Sequence, residues 1–566
     1  MNLNTKAKEE HTYDAIVVGS GISGGWAAKE LTEKGLKVLL LERGRNVEHV
    51  KDYETAMTPP WEFKHRGRLT MEQKRTHPVQ ARSGFYSEYN EKFWVDDLDC
   101  PYTEVKRFDW YRGFQVGGKS LMWGRGCLRL SEMDFEANAK EGIGIDWPIR
   151  YRDIAPWYDY VERFAGISGQ NEGLSQLPDG QFLPPMEMNC VEKAVKKRLE
   201  AHYNRSRIMT IYREANLTVP HMGRGACQYR SRCNRGCPYG AYFSTQSSTL
   251  PAAMATGNLT LRPFSIVNSV VYDKEQKRAT GVVVIDAETN ETITFHSKII
   301  FLNGSTLGTT FLLLNSTSDI FPDGLGNSSG QLGHNLMDHH YRIGASGTAE
   351  GFDDKYYYGR RPIGIYIPRY RNVGGDKRNY LRGFGFGGSA SRTGWQRAIA
   401  EMNYGADFKE EMSTPGPWRM GLGGFGEALP YYENQVSIDQ TKKDKWGQPV
   451  LAIDCEFKEN EKIMRVEMMN DAAEMLEAAG LKDVKGFDNG SYPGAAIHEM
   501  GTARMGHDPK TSVLNRWNQM HDVKNVFVTD GSCMTSSACQ NPSLTYMALT
   551  ARACDYAVKE LKKMNL

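Results

Sequence analysis

The chain contains 566 residues with a mass of 63.8 kDa, and because this exceeds what one simple core holds, two domains are expected. Hydrophobic residues make up 40% and charged residues 24% of the sequence, which is the balance of an ordinary globular protein. The formal net charge of +2 gives no reason to expect nucleic acid or an anionic membrane surface as a partner.

Neither export nor membrane insertion is expected from the sequence. The N-terminal stretch MNLNTKAKEEHTYD carries charges but lacks the apolar core of a secretory signal. No apolar run approaches the roughly 18 residues that a membrane-spanning helix needs. We therefore expect a cytoplasmic protein, or one that reaches the periplasm only by co-export with a signal-bearing partner.

A dinucleotide-binding pattern, YDAIVVGSGISGGWAAKELTEKGLKVLLLERG, begins at Tyr13. The apolar run at residues 15–18 predicts a buried parallel strand, apolar residues then continue at helical spacing, and residues 37–41 predict a second strand. Between the first strand and the helix stands G-x-G-x-x-G. The order strand, glycine turn, helix and strand is typical of a Rossmann-type βαβ unit.

Each polar or glycine position of this pattern has a physical task. Gly19 permits a tight turn, Gly21 lets backbone N–H groups approach a pyrophosphate, and Gly24 allows the helix to pack closely on the strand. Glu42 follows the second strand and can accept hydrogen bonds from a ribose hydroxyl. The pattern predicts a dinucleotide site without separating FAD from NAD.

The rest of the chain alternates between regular and irregular patterns. Residues 50–100 are polar, aromatic and poorly periodic, which predicts a long loop or lid. Residues 340–480 are rich in Tyr and Gly, and short alternating runs such as IGIYIPRY predict an antiparallel sheet with a helix at 462–479 behind it. Further pieces of the nucleotide domain are predicted as strands at 259–273, 281–286, 298–302 and 526–529 and a helix from about Pro542.

Three of the ten cysteines, Cys227, Cys233 and Cys237, fall within eleven residues in the pattern C-x5-C-x3-C-P. Three thiolates on a short loop that ends in Cys-Pro suit an iron–sulfur cluster. Two alternatives stay open. One is a loop without metal whose arginines are solvated or face a partner, and the other is a disulfide, which the lack of a signal segment disfavours.

Six segments in the same order resemble the glucose–methanol–choline (GMC) oxidoreductase family. They read VVGSGISGG with Glu42, YRGFQVGGKSLMWGRG, GQLGHNLMDHH, GEALPYYENQVSID, HEMGTARMG and TDGSCMTSSACQNPSLTYMALTARACDYAV, and they span almost the whole chain. The resemblance implies an α/β fold in which a discontinuous Rossmann-type FAD-binding domain is joined to a substrate domain built on an antiparallel sheet.

The resemblance also implies a division of the chain. Residues 11–340 would mainly form the FAD-binding domain, with the lid around 50–100 and a cysteine-containing insertion around 220–245. Residues 341–490 would mainly form the substrate domain, and residues 491–566 would return to the FAD-binding domain with the catalytic pair.

FAD is the implied cofactor. The residues expected to bind it are Gly19, Gly21, Ile22, Ser23, Gly24, Glu42, Arg43, Gly117, Gly118, Ser120, Met122, Trp123, Gly124, Val267, Asp530, Gly531, Asn541, Pro542 and Leu544. Met122 stands where pyranose oxidases carry a histidine that is linked covalently to the flavin. A thioether does not form that link, so FAD is expected to be bound non-covalently.

The implied catalytic pair is His498 and Asn541. Oxidising an alcohol removes a proton from oxygen and a hydride from carbon, and an imidazole with an ordinary pKa near 6.5 suits the base that takes the proton. Asn541 would hold the same hydroxyl, and an Asn at this position is similar to pyranose oxidases and bacterial sugar dehydrogenases. His339 and His340 are expected to be structural or near the flavin.

The expected activity is FAD-dependent oxidation of a secondary hydroxyl of a sugar or glycoside to a ketone, as in glucoside 3-dehydrogenases. The cysteine segment is similar to the one that holds a 3Fe–4S cluster in three-subunit bacterial glucose dehydrogenases, and a cluster would imply a small subunit and a cytochrome c as partners. Two alternatives stay open: an oxygen-dependent pyranose or glycoside oxidase, and a non-redox lyase that keeps FAD as structure. Aromatic residues at 356–358, Trp395 and Trp418 are candidates for stacking on sugar rings, although such residues usually lie in the core.

Overall fold

The computed structural model describes residues 12–356, 361–394 and 404–566. In these ranges the strands are β1 (Thr12–Val18), β2 (Val38–Leu41), β3 (Thr103–Glu104), β4 (Thr210–Ile211), β5 (Leu259–Arg262), β6 (Ser265–Asp273), β7 (Arg278–Asp286), β8 (Thr292–Leu302), β9 (His340–Ala349), β10 (Ile365–Ile367), β11 (Phe384–Arg392), β12 (Trp418–Gly426), β13 (Gln435–Lys443), β14 (Pro449–Asp454), β15 (Lys482–Asp488) and β16 (Val526–Val528). The α-helices are α1 (Ile22–Glu33), α2 (Met71–Thr76), α3 (Glu132–Glu141), α4 (Tyr151–Ala165), α5 (Cys190–His202), α6 (Thr249–Ala255), α7 (Thr306–Asn315), α8 (Gly405–Ser413), α9 (Glu459–Ala478) and α10 (Ser543–Lys562).

The first sheet has the order β5–β2–β1–β8–β7–β6, and β16 also pairs with β8. Strands β5, β2, β1, β8 and β16 are parallel, whereas β6 and β7 form an antiparallel extension. Both faces of β1 and β2 are buried, as the continuous apolar runs predict, and helices α1 and α10 pack against each other beside them. The predicted strand–turn–helix–strand unit at the start of the chain is confirmed.

The second sheet has the order β15–β9–β12–β11–β10–β4 and is antiparallel throughout. Helix α9 packs behind it, burying Met464, Met468 and Met475. This helix begins three residues before the predicted start, because Glu461 accepts a hydrogen bond from the backbone N–H of Lys458 and so caps the first turn. The predicted α/β fold with a separate antiparallel sheet is confirmed, and the domain boundaries stay a prediction.

The remaining regions connect these sheets. A small sheet joins β13, β14 and β3, and residues 50–100 form a long irregular segment with α2 and single 3₁₀ turns, as predicted for a loop. Trp418 is fully buried in the core behind the second sheet, so it does not face a substrate, and Tyr356 is exposed. Residues 357, 358 and 395 lie outside the described residues. Within the described ranges, none of the helices combines the length and apolar character needed to span a bilayer.

Candidate active site

A cavity of about 950 Å³ receives side chains from both large sheets. The residues predicted to bind the cofactor or substrate that line it are Gly19, Gly21, Ile22, Ser23, Glu42, Arg43, Gly118, Ser120, Met122, Trp123, Gly124, Val267, His498, Asp530, Gly531 and Asn541. Four predicted residues do not line it: Gly24, Gly117, Pro542 and Leu544. Gly24 and Gly117 are closed off by neighbouring atoms, Pro542 immediately precedes α10, and Leu544 is buried in the core.

The nucleotide end of the cavity lies where β1 turns into α1. Gly19 has a left-handed φ of +88°, and a Cβ there would lie 2.4 Å from the carbonyl oxygen of Asn303. A Cβ on Gly24 would lie 1.8 Å from the carbonyl oxygen of Gly19, so close packing requires both glycines. A Cβ on Gly21 would meet nothing within 4 Å, and this opening at the helix N-terminus fits a pyrophosphate.

Glu42 provides the acceptor at the end of β2. Its Oε2 accepts hydrogen bonds from the backbone N–H and the hydroxyl of Ser20 at 2.9 Å and 2.6 Å, and its Oε1 accepts one from the N–H of Arg43 at 2.8 Å. Burial raises the pKa of Glu42 to about 7, although these hydrogen bonds act in the opposite direction. The carboxyl lines the cavity, where it fits the proposed contact with a ribose hydroxyl.

Residues 118–120 and 122–124 form the wall of the middle of the cavity. Gly117 and Gly118 both have positive φ, and the Ser120 hydroxyl donates to the carbonyl of Gly117, which fixes a tight turn. Trp123 is anchored by a hydrogen bond from its indole N–H to the carbonyl of Phe243 at 2.8 Å. An open helix terminus, a carboxyl acceptor and this wall line one cavity, and together they fit FAD, the cofactor implied by the resemblance.

The other end of the cavity, called the catalytic end below after the pair predicted there, holds His498 and Asn541 together with two residues that the sequence did not connect to them. His498 Nε2 lies 3.5 Å from Asn541 Nδ2, and His498 Nδ1 lies 2.9 Å from His339 Nδ1. His339 Nε2 lies 2.7 Å from the carbonyl oxygen of Ala538. The Tyr212 hydroxyl donates to Asn541 Oδ1 at 2.5 Å. The prediction that His339 is structural or near the flavin missed its direct contact with His498.

A buried carboxyl holds the loop that carries His498. Asp338 accepts backbone N–H groups of Ala496 at 3.1 Å and of His498 at 3.0 Å, and Ile497 between them has a left-handed φ of 63°. Burial, with the neighbouring charge of Glu499, raises the pKa of Asp338 to about 8. The chain therefore adopts a strained conformation that aims the imidazole into the cavity.

Desolvation dominates the electrostatics of the two histidines. It lowers the pKa of His498 well below its ordinary value, and positive charge on His339 or Lys119 acts in the same direction. Desolvation likewise lowers the pKa of His339 to about 4. Lys119 forms an ion pair with Glu499 at 3.3 Å. Both imidazoles are consequently neutral near pH 7, which is the form that a general base requires.

Cys227, Cys233 and Cys237 are not joined in disulfides and are partly buried. No group of three or more His, Cys, Asp or Glu side chains is arranged to hold a metal ion in the part of the chain that the structure describes. The sulfur of Cys227 instead accepts the backbone N–H of Tyr229 at 3.4 Å, and Cys233 lines the cavity. As placed, the three thiols therefore do not form the ligand group that an iron–sulfur cluster requires.

The arginines of the cysteine segment bind the loop 50–100. Arg230 donates to the carbonyl of Ala56, Arg232 donates to that of Met57 at 2.9 Å, and Arg235 donates to that of Thr58 at 3.1 Å. Arg235 is also buried, with its guanidinium over the rings of two aromatic residues. Arg235 is therefore not a solvated charge, whereas for the partly exposed Arg230 and Arg232 a solvated or partner-facing role stays a prediction; all three guanidinium groups contact the loop.

Comparison with known proteins shows similarity along the whole chain. A family model described as GMC oxidoreductase matches residues 13–341, and a second with the same description matches residues 430–550. The 2-methyl-1,2-propanediol dehydrogenase of Mycolicibacterium austroafricanum is 30% identical over 96% of this chain and 94% of its own length. The fructose dehydrogenase large subunit of Gluconobacter japonicus is 25% identical over 98% of this chain and 100% of its own length. A variant of the formate oxidase of Aspergillus oryzae RIB40 shares the fold, with a TM-score of 0.61 and 15% identity over 99% of this chain and 100% of that chain.

Proposed function

The chain belongs to the GMC oxidoreductase family, and on this premise we propose that it oxidises a secondary hydroxyl of a sugar or glycoside to a ketone, as glucoside 3-dehydrogenases do. The observation that carries the proposal is the pair His498 and Asn541. Their polar atoms lie 3.5 Å apart at the end of the cavity whose other end fits a dinucleotide. One hydroxyl group can contact both side chains at this separation.

His498, Asn541 and Tyr212 each have a separate task in the proposed reaction. When bound, FAD supplies the acceptor for the hydride that leaves the substrate carbon. His498 takes the hydroxyl proton at Nε2, and its lowered pKa keeps that nitrogen free to do so at neutral pH. Asn541 holds the hydroxyl oxygen through its amide group, and Tyr212 fixes the orientation of that amide.

Polar groups around the catalytic end of the cavity favour a sugar over a small alcohol as the substrate. A Cβ on Gly126 would lie 2.7 Å from Asn541 Oδ1, and the neighbouring Arg125 lines the cavity, where its guanidinium donates to the carbonyl of Trp123. Ser231 and Asn234 also line the cavity and can bind hydroxyl groups. The relation to fructose dehydrogenase supports the same class. The second candidate substrate is a short diol, which the 30% identical propanediol dehydrogenase supports.

Anaerobic titration of the purified holoprotein tests the proposal. Glycosides, free sugars and 1,2-diols are added in turn while the flavin absorbance is recorded, and mass spectrometry then identifies the product. Bleaching by a glycoside with formation of a product two hydrogens lighter is expected. Bleaching by diols alone would favour the second candidate, and no bleaching by any alcohol would favour a non-redox lyase.

Non-covalent binding of FAD is also proposed. Met122 lines the cavity, and the resemblance to pyranose oxidases puts it at the position of the histidine that those enzymes link to the flavin. Acid or heat denaturation should therefore release FAD into the supernatant. Flavin that stays with the precipitated chain would contradict this assignment.

For the electron acceptor, we propose a dehydrogenase that works with a small subunit and a cytochrome c. The relative from Gluconobacter japonicus is named as the large subunit of a fructose dehydrogenase, which supports a further subunit. The iron–sulfur cluster implied by the resemblance plays no part in this proposal, because the three cysteines as placed do not form a ligand group. An oxygen-dependent oxidase is the alternative, and hydrogen peroxide formation during aerobic turnover distinguishes it from the dehydrogenase.

A further inference from the structure

We infer that His339 is a positioning residue that fixes the proton of His498 on Nδ1, so that the lone pair of His498 Nε2 faces the cavity. The inference deepens the proposed function and rests on it for the role of His498 as a base. The inference is built from three consecutive contacts. The carbonyl of Ala538 contacts His339, His339 contacts His498, and His498 faces the cavity.

The first contact fixes the proton on His339. Its Nε2 lies 2.7 Å from the carbonyl oxygen of Ala538 and 3.4 Å from that of Ser537. A carbonyl oxygen only accepts hydrogen bonds, so Nε2 of His339 carries the proton and donates it. Because His339 is buried and neutral, its Nδ1 then has no proton and is an acceptor.

The second contact determines which nitrogen of His498, the proposed base, carries the proton. Nδ1 of His339 and Nδ1 of His498 are 2.9 Å apart, a distance at which one nitrogen must donate to the other. Since His339 Nδ1 is the acceptor, His498 Nδ1 carries the proton. The other tautomer of His498 would set two lone pairs against each other in a water-poor environment.

The third contact shows what the constraint achieves. With its proton on Nδ1, neutral His498 has a bare Nε2, which lies in the cavity 3.5 Å from the amide nitrogen of Asn541. After Nε2 takes a proton from a substrate hydroxyl, the Nδ1–H of the resulting imidazolium still donates to His339. His339 does not relay this proton further, because burial disfavours a charged imidazole and the carbonyl oxygen beyond it accepts a hydrogen bond without taking up the proton. The pair therefore supports proton uptake from the cavity side alone.

Two substitutions separate this role from simple packing. Asn places its Oδ1 near the position of the histidine Nδ1, so His339→Asn keeps the acceptor for His498 and loses the donor to Ala538. Gln places its Nε2 near the position of the histidine Nε2, so His339→Gln keeps the donor to Ala538 and loses the acceptor. A merely structural histidine predicts that Gln is tolerated and Asn is not, whereas the inference predicts the reverse.

Anaerobic stopped-flow measurements on the two holoenzyme variants should show this reversal. His339→Gln should lower the limiting rate of flavin reduction by at least about tenfold, with the substrate dissociation constant nearly unchanged, and His339→Asn should recover most of that loss. A normal rate in the Gln variant, or an equal loss in both variants when both retain FAD and fold, would overturn the inference.

A spectroscopic measurement keeps the inference separate from the proposed function. In ¹⁵N NMR spectra of histidine-labelled wild-type holoenzyme near pH 7, the resonances that disappear in His498→Asn should show a protonated Nδ1 and an unprotonated Nε2. A protonated Nε2 would overturn the inference, whichever substrates react. The expected spectrum in an enzyme that no sugar reduces would leave the tautomer assigned and would reject the proposed function alone.

Discussion

The two ends of the cavity are assembled in different ways. The nucleotide end lies within one β1–α1–β2 unit of residues 12–42, so its turn, helix terminus and acceptor are neighbours in sequence. At the catalytic end, His498 meets His339 across 159 positions and Asn541 meets Tyr212 across 329 positions. The nucleotide end therefore depends on the backbone geometry of one local unit, whereas the catalytic end depends on how segments distant in sequence pack together. The two ends should therefore fail in different ways.

The largest effect is expected at the catalytic end. His498→Ala should slow flavin reduction by at least about a hundredfold, the lower range for loss of a general base. FAD should stay bound, because the nucleotide end is untouched. Anaerobic stopped-flow absorbance measures the rate, and the ratio of flavin to protein absorbance is the control. Near wild-type reduction would show that another group takes the proton.

Two glycine substitutions should separate packing from ligand binding at the nucleotide end. Gly24→Ala introduces a Cβ 1.8 Å from a carbonyl oxygen and should lower the free energy of unfolding of the apoprotein by about 1–3 kcal/mol. Gly21→Ala has room in the apoprotein, so it should leave that stability unchanged and weaken FAD binding by about tenfold. Denaturant unfolding and FAD titration measure the two effects. Equal destabilisation by both would contradict the distinction.

A smaller effect is expected from the partner of Asn541. Tyr212→Phe removes a hydrogen bond worth about 1 kcal/mol and should slow flavin reduction about fivefold, because the amide is then free to rotate. Tyr366→Phe is the matched control, since its ring lies 5.1 Å from that of Tyr212 in the same buried cluster. A loss as large in the control would assign the effect to packing.

The pH dependence should be smaller still. The groups around His498 are His339, the ion pair of Lys119 with Glu499, and Asp338, whose pKa is about 8. Because the pKa of His498 is lowered, the base is fully available above its ordinary value and is lost only as the pH falls through the lowered pKa. The flavin reduction rate should change less than about twofold between pH 5.5 and 7.5, whereas a base with the ordinary pKa near 6.5 would make it rise about tenfold across the same interval. A steep rise across that interval would show that His498 titrates normally.

The least effect is expected at the cysteine loop. Because the thiols do not form a ligand group, purified protein should contain less than one iron atom per chain, and Cys227→Ser should leave flavin reduction unchanged. Metal analysis of protein prepared without air measures this. About three or four iron atoms per chain would instead show that the loop closes around a cluster.

The nucleotide end and the catalytic end also differ in how much of each could be predicted from the sequence. The glycine turn and Glu42 were predictable, because their spacing is set by neighbouring residues. His498 and Asn541 followed from the family resemblance. The contacts of His339 and Tyr212 were not predictable, because a buried histidine in LMDHH and a tyrosine after the two-residue strand β4 have no periodic signal. The roles of His339 and Tyr212 depend on how the second sheet packs against the first.

The pairing of β16 with β8 has a consequence for the timing of assembly. Val526 lies beside Ile300, and the ring of Phe527 stacks on that of Phe301 at 4.9 Å. At a usual synthesis rate of about 5–20 residues per second, β8 is made on the order of ten to fifty seconds before β16. During that interval the edge of β8 that pairs with β16, and the face of the Phe301 ring that stacks on Phe527, lack their native partner. Asp530 lies two residues after β16 and lines the cavity, so the flavin site is completed only after this late segment has been made and has paired with β8.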